Sequence, residues 1–195
     1  MEEKDIREKD FISIEFTEEL LAEWTKIYFK KHPRARKEPL PTPANPSLNK
    51  WIILRRLSMN KMKQDYKDFG KFVVKHYGLE NLGISKCKCR YITYQKTLGR
   101  IDLDNTTPKF ILDSLTAEAS GVICDDGVSC ITELTLLAEY HKGINGARIE
   151  FYDCEYDKEL LETTRIKEVG KIDKRQATID KNKAEKKAKK KSVKK

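Results

Sequence analysis

The chain has 195 residues, 38% of them hydrophobic and 36% charged, with a net charge of +9, enough for one core of ordinary size with charged segments outside it. It contains no run of eighteen apolar residues, and its opening Met1-Glu2-Glu3-Lys4-Asp5 is acidic, so neither a membrane span nor a secretory signal is expected. Its five cysteines have no CxxC or Cys/His spacing, which points to reduced thiols in a cytoplasmic protein rather than to zinc or a disulfide frame.

Residues 11–16 alternate Ile12, Ile14 and Phe16 with polar neighbours, the pattern of a strand with one buried face. Thr17 then serves as the N-cap of a helix that runs to about Lys31 with Glu18 and Glu19 in its first turn. Residues 32–49 hold five of the six prolines and read as an extended connector, since each ring fixes φ and removes a donor. Residues 26–37 carry six bases and no acid.

Ser58 is the expected cap of the clearest helix, where Met59, Met62, Tyr66, Phe69 and Val73 make an apolar stripe and Gly78 ends the run. Lys63, Lys67, Lys71 and Lys75 recur every four residues beside that stripe as a cationic ridge, which by itself is the mark of a solvated face. Lys86 to Lys96 alternates like a strand, with Cys87, Cys89, Tyr91 and Thr93 on one face. A turn at Thr97-Leu98-Gly99 follows, and Thr106-Thr107-Pro108 opens a helix with Phe110, Ile111, Leu112 and Leu115 inward. Asp125-Asp126-Gly127 is a turn. Val128–Tyr140 and Ala147–Tyr156 are expected as strands joined by a hairpin through Gly143 and Gly146.

Beyond Leu161 the apolar period is lost, and residues 181–195 hold nine lysines against Glu185 alone. The expected organisation is therefore a strand and helix over 1–31, a connector over 32–49, a core over 50–160, and a Lys-rich tail over 161–195, disordered or helical.

Chemistry concentrates in Arg100-Ile101-Asp102-Leu103-Asp104-Asn105 and, about twenty residues on, Cys124-Asp125-Asp126. Asp102 and Asp104, two apart at a strand end, would face one side, and two carboxylates that close favour a cation between them. Mg²⁺ takes oxygen ligands and often needs only one or two carboxylates plus substrate phosphate. A third carboxylate from the Asp125-Asp126 turn would complete such a site if the intervening helix packs back on the sheet. The metal would polarise a scissile phosphate and activate water, while Lys109 neutralises charge in the transition state. Against this stands the frequency of Asx residues in turns and caps. Asp113 reads as a surface or packing residue, and His32, His76 and His141 form no nucleophile arrangement.

Taken in order, Arg100-x-Asp102-Leu103-Asp104-Asn105, then Lys109, then Ile111-Leu112-Asp113-Ser114-Leu115, then Gly121-Val122-Ile123-Cys124-Asp125-Asp126 resembles the RusA family of Holliday junction resolvases, of phages and prophages. Pro46-Ser47-Leu48-Asn49 and Tyr66 look like the family's N-terminal Pro/Asn segment and tyrosine-bearing helix. The likeness spans roughly residues 44–153. It departs from the family at the lysine, which usually falls three residues after the Asn, where this chain has Pro108.

The resemblance implies an α+β fold, a mixed β-sheet with helices packed on it, and a homodimeric, Mg²⁺-dependent crossover junction endodeoxyribonuclease of the bacterial cytoplasm. It makes Asp102, Asp104 and Asp126 the metal-binding and catalytic carboxylates, with Lys109 as the catalytic lysine. Branched DNA is the expected partner, its phosphates met by Lys63, Lys67, Lys71, Lys75 and Asn49. Two other readings are a nuclease for flap or other branched DNA and an inactive DNA- or RNA-binding module. The PD-(D/E)xK pattern fits poorly, because no Glu-x-Lys strand follows the aspartates.

Overall fold

The computed structural model describes residues 11–97, 99 and 102–192, so Leu98, Arg100 and Ile101 of the aspartate segment lie outside it. The fold is α+β: one four-stranded mixed sheet carries the helices on one face. β1 (Ile12–Thr17) leads into α1 (Glu18–Lys31), and the Thr17 hydroxyl accepts the Leu20 N–H at 3.3 Å, the expected cap.

The proline-rich connector packs inward, with Leu40 and Pro43 to Pro46 buried, and ends in a single turn, α2 (Leu48–Trp51). Helix α3 (Arg56–His76) starts two residues before the expected Ser58 cap, with Arg55 at the N-cap position. Its end is as expected. Gly78 takes φ +67°, its N–H donates to Lys75 O, and Leu79 N–H reaches back to Val74 O at 3.1 Å, a Schellman closure.

β2 (Ile84–Gln95) is the central strand, buried at Cys87, Cys89, Tyr91 and Thr93 and exposed at Lys86, Lys88 and Arg90. After a 3₁₀ turn at Leu103–Asn105 come α4 (Lys109–Leu115), β3 (Ile131–Tyr140), β4 (Gly146–Tyr156) and α5 (Lys158–Ser192). The sheet order is β1-β4-β2-β3.

That order corrects the expected hairpin. β3 runs parallel to β2 from Cys87↔Ile131 to Gln95↔Tyr140, while β4 pairs antiparallel with the opposite edge of β2. The connection therefore arches over the end of β2, where His141 N–H donates to Gln95 O and Gly143 N–H to Lys96 O. Alternation identifies strands but carries no information on which strand lies between two others.

Helices α1, α3 and α4 cover the sheet. Trp24, Phe69, Val73, Phe110, Ile111 and Leu115 meet Phe16, Cys89, Tyr91, Ile149 and Phe151 in one core. Helices α3 and α4 approach so closely that a Cβ on Gly70 would overlap the Ser114 side chain, which bonds to Ile111 O at 2.6 Å.

The five cysteines are buried as thiols. The tail is helical: Leu161 is buried and Arg165 donates to Ala117 O, which docks the first turns of α5 beside the end of α4. Among the described residues no helix is long and apolar enough to cross a membrane.

Candidate functional site

Helix α4 has no side-chain cap of its own, because Pro108 stands at its N-cap. The connector supplies one. Asn45 Oδ1 accepts the Phe110 N–H at 2.8 Å, and Asn45 is itself held by its N–H to the Tyr91 hydroxyl at 3.0 Å. Tyr66 OH pins the same segment through Thr42 O and Ala44 O at 3.0 and 2.8 Å, and burial pushes that phenol far above its ordinary range. The proline segment thus fixes where α4 begins, and with it Lys109, the first helical residue.

From that start Lys109 and Asp113 fall one helical turn apart on one face, with Nζ 3.5 Å from Asp113 Oδ1. Asp113 is 8% exposed, so of the two expectations packing holds rather than surface, and its carboxylate is paired. Its Oδ2 faces Lys63 Nζ of α3 at 2.9 Å, aligned as a charge contact rather than a directed hydrogen bond. Lys109 also reaches Asp126 Oδ2 at 3.9 Å, and Lys67 pairs with Glu118.

Asp126 projects from the turn after α4, where Asp125 Oδ1 accepts its N–H at 3.0 Å. Partial burial raises the Asp126 carboxyl above the usual range, and the neighbouring Asp113 raises it further while Lys109 opposes both. A cleft of about 280 Å³ opens here, walled by Asp113, Glu118, Asp125 and Asp126 on one side and by Thr164 and Glu168 of α5 on the other.

The remaining two site aspartates lie elsewhere. β2 ends at Gln95, and Asp102 is extended backbone preceding the 3₁₀ turn that contains Asp104. The two carboxylates are both exposed and do not share a strand face, a correction that follows from the 3₁₀ geometry. Asp102 lines a larger cavity, about 560 Å³, together with Asn45, Lys50, Gln95, Asn105 and Asn145. Asn49 is exposed on α2, next to Lys50 of that cavity.

Lys109 thus contacts Asp126 at the wall of this cleft, and Asp102 belongs to another cavity. Among the described residues no three of His, Cys, Asp and Glu gather as a metal site. The neighbouring carboxylates of Asp113 and Asp126 repel one another. Lys63 and Lys109 already answer part of that charge.

Asp113 is the residue that sequence reasoning passed over. The signal was its position four residues after Lys109, which on a helix puts the carboxylate under the ammonium. No model of a known protein family matches the chain, and no curated protein does.

Proposed function

We propose that the chain is a Mg²⁺-dependent, structure-selective endodeoxyribonuclease of the RusA type, which as a homodimer hydrolyses paired phosphodiester bonds of four-way DNA junctions. Its setting would be recombination and repair in a bacterial cytoplasm. The observation that carries this reading is the ion-pair network of Lys63, Lys109, Asp113 and Asp126, drawn from three separate segments beside one acidic cleft. Lys109 and Asp126 are the members that the motif pairs across seventeen residues of chain.

The residues divide the work by their environments. Asp126 Oδ2 lies within 3.9 Å of Lys109 Nζ, placed to orient an attacking water beside the ammonium. Lys109 is half-exposed, so its ammonium can turn toward a phosphate oxygen as negative charge develops there. Asp113 stays between Lys63 and Lys109 and sets their positions. Asp102 and Asp104 are exposed and open to substrate and cation from outside. The family resemblance would give Mg²⁺ to Asp102, Asp104 and Asp126, where it would polarise the scissile phosphate.

A second reading has a specific observation behind it. Lys63, Lys67 and Lys109 already neutralise Asp113, Glu118 and Asp126, as they would in a nucleic-acid-binding module whose aspartates are structural. Incubation with a synthetic four-way junction and a matched duplex, in Mg²⁺ and in chelator, separates the two. Junction-selective cutting that stops in chelator is expected. Binding with no cutting under any divalent ion would leave the module, and cutting that persists in chelator would remove the metal.

A further inference from the structure

We infer that the groove between α1 and α3 is a binding site for single-stranded nucleic acid, with phosphates on Lys31, Lys71 and Lys75 and a base stacked on the Tyr28–His32 pair. The inference goes beyond the nuclease reading and would hold equally for a module that cuts nothing. It also uses α1, which lies outside the residues that carry the family resemblance.

The groove has a volume of about 400 Å³ and is lined by both helices. A second hollow of about 500 Å³ adjoins it, sharing Tyr28, Lys31 and His32 and adding Arg34 to the lining. Its chemistry is cationic and aromatic together. Lys31, Lys71, Lys75 and Arg34 enter no ion pair among the described residues, whereas Asp68, one of two acids on the wall, is already bonded to Gln64 at 3.0 Å.

His32 lies on Tyr28 with ring centroids 4.4 Å apart, and Lys61 sits over the Tyr28 ring at 5.4 Å with a 3.2 Å bond to its hydroxyl. That pair is held in place before any ligand arrives, with the exposed His32 ring outermost.

Shape and charge together select the ligand class. A duplex presents phosphates on a convex surface and hides its base faces. A concave trough with cations along it and an aromatic platform within it matches one strand whose backbone and base both need a partner. Stacking on an aromatic face is indifferent to base identity.

The test uses the full chain and a fluorescein-labelled oligothymidylate of about 15 nucleotides, followed by anisotropy over a range of salt. Replacing Lys31, Lys71 and Lys75 by Gln should weaken binding about tenfold or more at ~0.1 M salt. It should also reduce the slope of log K against log salt by about 2, at roughly 0.7 per phosphate contact. His32→Ala should cost a few-fold in affinity and leave the slope unchanged, since stacking releases no counterions. A matched pair of changes on the outer sheet face, Lys86→Gln with Lys88→Gln, should do neither. Unchanged slope and affinity in the folded triple variant would overturn the groove, as would an equal loss in the sheet-face control. The nuclease reading is judged separately by metal-dependent cutting, so each can fail without the other.

Discussion

Helix α3 carries the same residue at the same spacing along its length, yet its two halves do opposite things. Lys63 and Lys67 turn toward α4 and are answered by Asp113 and Glu118. Lys71 and Lys75 turn toward α1, where no ion pair among the described residues answers them. The cause is the helix itself. A four-residue step exceeds one turn by about 40°, so the row winds by roughly 120° from Lys63 to Lys75. A ridge in the sequence becomes a ramp in space, and the neighbouring helix decides whether a lysine is a counter-ion or a free cation.

Four measurements test that contrast. The largest effect is expected in the answered half. Asp126→Asn should lower junction cutting about 10³-fold while junction affinity stays within about threefold, read by single-turnover kinetics and anisotropy. If affinity fell and cutting at saturation did not, the cleft would be a binding surface like the groove and the contrast would collapse.

Next comes Lys63→Met, which leaves Asp113 with Lys109 alone. A loss of about 1–2 kcal/mol in urea unfolding is expected, near the low end for a broken buried pair because Lys63 is itself 45% exposed.

Smaller still is the pH dependence of Asp126. Its folded carboxyl is raised, so the folded state binds that proton more tightly than the unfolded chain does. The ionised form therefore costs stability above the folded pKa, and the cost disappears as pH falls through it. Asp126→Asn should raise Tm by about 2 °C at pH 8, with the gain vanishing in acid. A gain that grew toward acid would reverse the sign of the argument.

Lys75→Met should be smallest, within about 0.5 kcal/mol of the parent by the same urea experiment. A loss as large as that of Lys63→Met would mean that Lys75 has a structural partner after all.

Much of the fold was legible locally. The alternation of Ile12, Ile14 and Phe16, the Thr17 cap, the α3 stripe and the Gly78 stop are all short-range signals, and each appears where its periodicity or capping chemistry puts it. The site was legible only in part. Lys109 and Asp126 do meet, but the Asp102 and Asp104 pair was read as a strand end when the strand stops at Gln95. A strand and an extended approach to a 3₁₀ turn share the same residue preferences over so few positions.

What lay outside the sequence signals was set by contacts distant in the chain. Asn45 caps α4 across sixty-five residues, and Asp113 becomes a buried counter-ion only because Lys63 arrives from another helix. The β3–β4 connection looked like a hairpin because glycines mark a reversal without saying what it spans.

The missing side chain at Gly70 has a consequence for how this sequence can drift. Positions 70 and 114 share a space that holds one small side chain and no more, and Ser114 already fills it. Relatives of this chain should therefore vary at the two positions as a pair, a larger residue at 70 being matched by glycine at 114. Because Ser114 follows Asp113 directly, that coupling also restrains the carboxylate beside it. Any lineage that keeps the cleft inherits a constraint at a position outside its walls.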